Sequence, residues 1–577
     1  MTTKRHFSGA DVATGAVFSA LGLLAFRPAV DPDVFWHLAT GKWIWQNQAI
    51  PKADPFSWTT PGRAWIAHEW LTEAIWRVVY RIGGWGALVA LSGIILMATF
   101  ALVHATARHL GAGPVASTVF TGLSALAGLH TWNVRPQMIS LAFCALFGYW
   151  FAQAVKPLSP VSPVLSSPAQ ASFNADDTDS PGTLGTMTVK TGFGKRLWLI
   201  PIVMLAWVNL HGGWVFGMAM LAAFVVATAA ETYLAQAVSA ATNKGRFSRL
   251  LGSRKPLPKS LLKTVAGVFT ASLLVCFANP NGLQGVIYPF SYLGDNASTR
   301  YVNEWFAPSI AKVQYWPFFA LLALFVFAIS RGLGKLPLYV YGIGIPFSLL
   351  AVQSARNVSQ FAVFAAPYVA LVVTNRRLAR AAAPDLFAGA QSSSSAAPES
   401  RNLTELCTGA TNPQAVLFHT KAKKPAANPS VISTINRIVL VGVVVACAAL
   451  GFTNFTKQAN VAAQAKIYPV AAVQKLLADP GTRLLNDYDW GGYLTHIAPS
   501  ILVSIDGRPD MYGDAFTDSY VSMWRGNPGW QARLSAFKAD RVLAKPKSAM
   551  ATNLRKSSGW KITFEDSIAV LFARRNA

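Results

Sequence analysis

The sequence predicts an α-helical polytopic membrane protein of about eleven spans with a small α/β domain at its C-terminal end. Three observations predict it. Of 577 residues, 53% are hydrophobic and only 13% are charged, with a mean hydropathy of +0.35, too little charge to coat a soluble chain of this length. Apolar runs recur at the length, roughly 20 residues, that a hydrocarbon layer about 30 Å thick demands. From about residue 465 that pattern stops, and short strand-like and helical stretches replace it.

Spans are expected near 12–29, 86–107, 113–130, 137–155, 197–211, 214–234, 262–278, 314–330, 336–354, 359–375 and 436–453. Lipid offers the backbone no hydrogen-bond partners, so each span must be helical. The first run follows Lys4 and Arg5 as a signal peptide would, but Arg27-Pro28 follows it without a small-residue cleavage pattern, so it reads as a retained span. The formal net charge of +25 would suggest nucleic acid in a soluble chain. Here the basic residues sit between apolar runs, where they set topology. With Lys4 and Arg5 inside, alternate loops carry Lys195-Arg196, the group Lys244/Arg246/Arg249/Arg254/Lys255/Lys259/Lys263, Arg331/Lys335, Arg376/Arg377/Arg380 and Lys421/Lys423/Lys424. An odd number of spans then leaves the C-terminal domain outside. No nucleic-acid partner is expected.

The spans and their loops make a transmembrane unit over 1–455, followed by an extracytoplasmic α/β domain over 456–577. Two cytoplasmic loops, 157–192 and 381–432, are Ser/Pro/Thr- or Ser/Ala-rich and should be disordered, lacking apolar surface to offset their ordering entropy. The tail offers a helix over Tyr468–Ala478 and strand-like runs at Arg483–Asn486, Ile501–Ile505, Arg541–Ala544, Trp560–Phe564 and Ile568–Phe572. Cys144, Cys276, Cys407 and Cys447 show no CxxC spacing, so neither a disulfide framework nor a zinc site is expected.

The first outer loop, 30–85, holds the densest chemistry: Asp31-Pro-Asp33, Trp36-His37-Leu38, Asp54-Pro-Phe-Ser57 and His68-Glu69-Trp70. Its two Trp-rich segments, about 34–47 and 69–81, read as interfacial helices along the outer leaflet. A carboxylate at that surface can accept a hydroxyl proton, and a phosphate leaving group needs cations beside it. Arg135, Arg300 and Arg356 each stand next to the end of a span on the same side, as do Glu304 and His211 in Asn209-Leu-His-Gly-Gly-Trp214, whose glycines permit a sharp reversal. Structural roles compete: Asp31 or Asp33 as a helix N-cap, His68-Glu69 as a helix-start feature, the arginines as snorkelling groups, His211 as a turn or packing residue. No single position decides; their gathering on one face of the membrane is the signal.

Asp31-Pro-Asp33…Trp36-His37-Leu38…Gly41…Ile50-Pro51…Asp54-Pro-Phe-Ser57…His68-Glu69-Trp70-Leu71 resembles a family of bacterial polytopic membrane proteins placed near the GT-C superfamily of glycosyltransferases. Further stretches resemble the same family: Arg135-Pro-Gln137, Trp207-Val-Asn-Leu-His-Gly213, Asn279-Pro-Asn-Gly282, Glu304-Trp305, Trp490-Gly-Gly-Tyr493 and Asp506-Gly-Arg508. The resemblance implies an active site facing outside, a polyprenyl-phosphate sugar donor, and an Asp of the first outer loop as base or acceptor-binding group. By position that residue is Asp33 or Asp31. The Asp-Glu pair of protein mannosyltransferases has no clear equivalent here, so which Asp acts stays open, as does a divalent metal. The C-terminal motifs have the least obvious chemical role.

The function expected is therefore sugar transfer, with inversion, from a polyprenyl-phosphate donor to an extracytoplasmic glycan, lipid or protein acceptor at the bacterial cytoplasmic membrane. Asp33 assisted by Asp31 would be the base, Arg135, Arg300 and Arg356 would hold the phosphate, and His68 and Glu69 would shape the sugar pocket. Asp506-Gly507-Arg508 and Asp510 would lie near the working edge of the tail domain, which presents the acceptor. A transporter is the first rival, disfavoured because the spans are nearly free of Asp and Glu and show no repeat. A scaffold for polysaccharide assembly is the second.

Overall fold

The computed structural model describes residues 7–155, 194–240, 256–332, 336–390, 429–479 and 483–575, with only the backbone course at 194–195, 235–240, 376–390 and 429. The expected disordered loop 157–192, most of 381–432, Lys421/Lys423/Lys424 and five of the seven basic residues from Lys244 to Lys263 lie outside the described residues.

A helix stands at each of the eleven predicted spans. In chain order the longer helices are α1 (Gly9–Ala25), α2 (Pro32–Asn47), α3 (Trp70–His109), α4 (Pro114–Gly128), α5 (Gln137–Ala154), α6 (Ile200–Leu210), α7 (Trp214–Ala240), α8 (Lys259–Val275), α9 (Trp316–Arg331), α10 (Leu338–Gln353), α11 (Val358–Ala390) and α12 (Pro429–Phe452). Among the described residues six helices are long and apolar enough to cross a membrane, and α1, α6 and α10 are shorter apolar helices beside them. At 11 residues, α6 rises only about 16 Å, half the depth of a hydrocarbon core. α11 runs to Ala390 and α12 begins at Pro429, so helix takes up both ends of the expected 381–432 loop.

α1 and α12 run in the same direction. At one end the Phe7 amide donates to Ser433 Oγ at 2.9 Å, and at the other Asn454 Nδ2 donates to the Phe26 carbonyl at 2.8 Å. That is what an odd number of spans requires. α12 otherwise stands at the rim of the bundle, with 6% of its apolar window buried.

The tail contributes α13 (Lys457–Ala465), α14 (Val470–Ala478), β1 (Leu484–Asn486), α15 (Gly491–Ile497), β2 (Arg541–Ala544), β3 (Trp560–Glu565) and β4 (Val570–Arg574). The strands form one mixed sheet in the order β1-β2-β4-β3, with β1 parallel to β2 and the other pairs antiparallel. The predicted strand at Ile501–Ile505 is not one. Its Val503 bridges Ser57 of the first loop instead, exchanging backbone bonds with Phe56 and Trp58 at 3.1 Å.

That bridge is one of many ties, and the first loop and the tail share two apolar cores. One joins Val34, Phe35, Leu38 and Trp85 to Tyr468, Trp490 and Leu494; the other joins Trp36 and Trp65 to Leu485, Ile505 and Tyr512. α2 is buried without a break from Val34 to Gly41. Its first half is therefore packed between α3 and α15, which its Val, Phe and Trp side chains suit, while its last turn stays exposed, with Trp45 at 48%. The second segment does expose an apolar stripe, with Ile75 at 42% and Ile82 at 81%. It ends at a kink where Gly84 takes φ 59°, a backbone state that suits glycine.

The glycines of the tail motifs have a steric role. A Cβ at Gly492 would lie 2.7 Å from the Pro32 carbonyl oxygen, and one at Gly507 would lie 2.4 Å from an Asp33 carboxylate oxygen. The tail can seat on the start of α2 only because neither residue has a side chain. Gly492→Val should therefore cost ~1–3 kcal/mol, the usual penalty for overpacking. It should lower the Tm in detergent and open the tail to protease, whereas Gly9→Ala, with nothing within 4 Å, should leave both unchanged.

Candidate functional site

Arg135 lies in the tight turn that ends at the first residue of α5, and it organises the first half of the site. Its Nε donates to Asp31 Oδ1 at 2.7 Å, its Nη2 lies 2.9 Å from Asp33 Oδ2, and its Nη1 donates to Glu304 Oε2 at 2.7 Å. One guanidinium thus answers three carboxylates. Its five N–H groups in a rigid fork make that possible, as the compact ammonium of Lys would not.

The two aspartates divide their roles by position. Asp31 is the N-cap of α2: its Oδ1 accepts the Asp33 amide at 3.0 Å, with Pro32 at the first helical position. Asp33 faces a polar cavity of about 340 Å³ that Asp31 does not line. Its Oδ1 accepts from Trp36 Nε1 at 3.2 Å. Burial pushes the Asp33 carboxyl up to about 7, Arg135 opposes that, and the negative neighbours Asp31 and Glu304 reinforce it. Burial would also raise Glu304, but Arg135 and Arg356 together hold it below its ordinary value.

The other half of the site is a histidine–glutamate group. Glu69 Oε1 lies 3.3 Å from His211 Nε2 and 3.7 Å from His68 Nε2, and Glu69 Oε2 lies 3.6 Å from His37 Nε2. His37 Nδ1 lies 3.1 Å from Glu73 Oε1. The His211 tautomer is set by its neighbours: Nδ1 accepts the Gly213 amide at 2.9 Å and faces Ser140 Oγ at 2.6 Å, while Ser140 Oγ accepts from Trp207 Nε1. The neutral ring therefore carries its proton on Nε2, pointed at Glu69. Burial lowers His211, His68 and His37, and it lifts Glu69 to about 8. Gly212 and Gly213 have no positive φ, so the reversal expected of them is not a left-handed one. They supply room, since a Cβ would meet His68 at 3.1 Å or Ser140 Oγ at 2.5 Å.

Arg356 joins the polar cavity to an apolar groove. Its Nη1 lies 3.3 Å from Glu304 Oε1 and its guanidinium stacks over Trp305 at 4.9 Å. The groove, about 350 Å³, runs along Met138, Leu141, Val215, Phe216 and Ala219. It shares His68, Gln137, His211, Tyr288, Tyr292, Trp305 and Arg356 with the polar cavity. Of the residues predicted from sequence, Asp33, His68, Glu69, Arg135, His211, Glu304 and Arg356 therefore meet at one cavity. Arg300 does not. It is drawn toward the tail, donating to Asp518 at 2.9 Å and lying 3.1 Å from Asp295.

Other groups complete the walls. Arg508 reaches in from the tail, bonded to Asp506 at 2.9 and 2.5 Å and to Asp54 at 3.0 Å, with its guanidinium 4.5 Å above Trp65. Asp510 accepts the Tyr288 hydroxyl, and Tyr292 stacks on Trp305 at 5.5 Å. Tyr288 and Tyr292 carry no motif, and only a map of which loop faces the tail could have found them. For a cation, the Asp31/Asp33/Glu304 group already holds Arg135. Among the described residues, the group with ligand-type atoms close together is His37, Glu69 and Glu73.

No protein-family model and no curated protein matches the chain. Solved structures of GT-C glycosyltransferases are similar to it. The Archaeoglobus fulgidus oligosaccharyltransferase in its apo form matches over 97% of this chain and 74% of its own, at 10% identity and a TM-score of 0.48. The archaeal oligosaccharyltransferase AglB from Archaeoglobus fulgidus, in complex with an inhibitory peptide and a dolichol-phosphate, matches over the same shares at 11% identity and a TM-score of 0.47. ArnT from Cupriavidus metallidurans, bound to undecaprenyl phosphate, matches over 98% of both chains at 13% identity and a TM-score of 0.43. At those identities and TM-scores below 0.5, none of these likenesses carries the chemistry, which rests on the residues of the site.

Removing Arg135 should strand three carboxylates. Arg135→Ala is expected to cost up to about 3 kcal/mol, at the lower edge of the ~3–5 kcal/mol for a broken buried pair, since Arg135, Asp33 and Glu304 keep 15–22% of their side-chain surface exposed. Adding Glu304→Gln to that variant should restore part of the loss in a thermal melt. An additive or worsened double mutant would contradict the hub.

Proposed function

We propose that the chain is a membrane glycosyltransferase that moves a sugar from a polyprenyl-phosphate donor to a hydroxyl of an extracytoplasmic acceptor. The observation that carries this reading is the continuity of the polar cavity with the apolar groove through Arg356. An amphiphile with a long apolar chain and an anionic head fits that continuity, the chain along Val215, Phe216 and Ala219 and the phosphate at the guanidinium. The sugar then lies in the polar cavity beside Tyr292, Trp305 and Asp33.

In this reading Asp33 accepts the proton of the acceptor hydroxyl as its oxygen bonds to the anomeric carbon. The bond from that carbon to the donor's phosphate oxygen breaks, and the lipid phosphate leaves with its negative charge beside Arg356. Arg135 has its N–H groups committed to carboxylates, which makes it a positioning residue for Asp33. Arg300, engaged with Asp518, holds the 288–305 loop to the tail. His68 and His211 line the sugar side with Glu69 between them. The acceptor would approach along Tyr488, Asp489 and Asp510 of the tail, an envelope glycan, lipid or protein. The N-terminus inside and the tail outside the bacterial cytoplasmic membrane complete the reading.

A base must be ionised to act. With the Asp33 carboxyl raised to about 7, kcat/KM should climb as pH rises through about 7 and fall on the acid side of it. Asp33→Asn should lower acceptor-dependent release of polyprenyl phosphate by about 10²–10⁴-fold while leaving membrane insertion normal. Release near the wild-type rate in that variant would remove Asp33 from the reaction. Arg356→Ala should weaken binding of undecaprenyl phosphate, used as probe, by about 10–100-fold, the equivalent of a lost hydrogen bond to a charged group.

A further inference from the structure

Glu69, on the sugar side of the cavity, also belongs with His37 and Glu73 to a cluster that has no step in proton transfer by Asp33. Glu69 and Glu73 stand four residues apart at the start of α3, so their carboxylates emerge on one face of the helix. His37 comes across from α2, and the two helices approach closely there, since a Cβ at Gly41 would lie 2.1 Å from the Glu73 carbonyl oxygen. A nitrogen of His37 and one oxygen from each carboxylate lie within 4.8 Å of one another. The exposures are 2%, 7% and 1% for His37, Glu69 and Glu73.

The charge in this cluster is unbalanced, in contrast to the carboxylates around Arg135. Among the described residues no Lys or Arg pairs with Glu69 or Glu73, whose charged-group contacts are His37, His68 and His211. Glu73 Oε2 is buried with no hydrogen-bond partner. An orphaned carboxylate oxygen at this depth is costly unless a cation or proton meets it. Its neighbours are built as the surround of a metal site would be: the Nε2 proton of His211, fixed by Gly213 and Ser140, faces Glu69 Oε1 and leaves Oε2 turned to His37. Such outer partners orient metal-binding carboxylates. His37 and Glu69 also line the polar cavity, which gives an ion a path in and leaves room for water on its open side.

We infer that His37, Glu69 and Glu73 bind one divalent metal ion, of the Mn²⁺ or Zn²⁺ class, in the wall of the cavity. One imidazole and two carboxylates suit that class, balance its two charges, and leave the open coordination typical of a three-ligand site. Bonds of about 2.0–2.2 Å would draw together ligand atoms that now lie within 4.8 Å of one another. The inference stands apart from the transferase reading, because metal content is measured without turnover.

The test is metal content of the full chain purified in detergent, stripped with chelator, reloaded with Mn²⁺ or Zn²⁺ and desalted. One ion per chain is expected, with a rise in Tm on loading. Glu73→Gln and His37→Gln should each weaken binding at least 10-fold, with unchanged gel-filtration profiles to show that the chain still folds. Glu304→Gln, which alters the other carboxylate group, should keep the ion. Substoichiometric metal in the wild type would overturn the site and leave a protonated Glu–His–Glu chain in its place. An ion lost in Glu304→Gln and kept in Glu73→Gln would also overturn it.

Discussion

One guanidinium sets the geometry on which the rest of the site depends. Arg135 draws Asp31, Asp33 and Glu304 to a single point from two loops that lie 104 and 169 residues away from it along the chain. Without a cation there, three carboxylates at the mouth of the helix bundle would repel each other and splay the loops that carry them. With it, the start of α2 and the 304–305 turn are clamped to the start of α5. Arg356 then reaches the far oxygen of Glu304, and the boundary between polar cavity and apolar groove is fixed. Burial among these charges also tunes Asp33 toward neutral pH, where a carboxylate can both hold and release a proton.

The tail belongs to this construction and is not an appended module. Arg508 is anchored by Asp54 of the first loop as well as by Asp506. Gly492 gives the backbone of α2 room to sit against the tail, and Gly507 does the same for the Asp33 and Trp36 side chains. The shared apolar cores supply the bulk of the contact, and the polar anchors fix its register. Because the cavity has walls from both parts, a change in how the tail seats reaches Asp33 directly, at the place where a Gly507 side chain would touch its carboxylate.

Much of the fold was legible because its causes are local. A run of apolar residues long enough for lipid must be helical, and the odd number of runs gives the parity that the parallel course of α1 and α12 satisfies. The strands at Leu484–Asn486 and Arg541–Ala544 were legible for the same reason. Ile501–Ile505 was misread because its partner strand is only Ser57 in a loop far away in sequence, which no alternation pattern reveals. The burial of the first half of α2 was not legible because tryptophan suits an interface and a core alike, and the tail that covers it is far away in sequence. At the site, position in the outer loops and the resemblance singled out Asp33, His68, Glu69, His211 and Glu304. It did not distinguish Arg135, spent on carboxylates, from Arg300, tied to the tail, or from Arg356, which faces the groove. All three were read alike, as arginines next to span ends, and what separates them is which acids surround each one in space.

The central claim is that groove and cavity make one site for an amphiphile with its anionic head at Arg356. The most direct measurement is photo-crosslinking with a polyprenyl phosphate analogue carrying its reactive group on the first isoprene unit, in membranes containing the full chain. The account predicts adducts at the groove residues beside Arg356, such as Val215, Phe216 and Leu293, competed away by unmodified polyprenyl phosphate. Adducts confined to the outer surface of α12, or insensitive to that competitor, would contradict it.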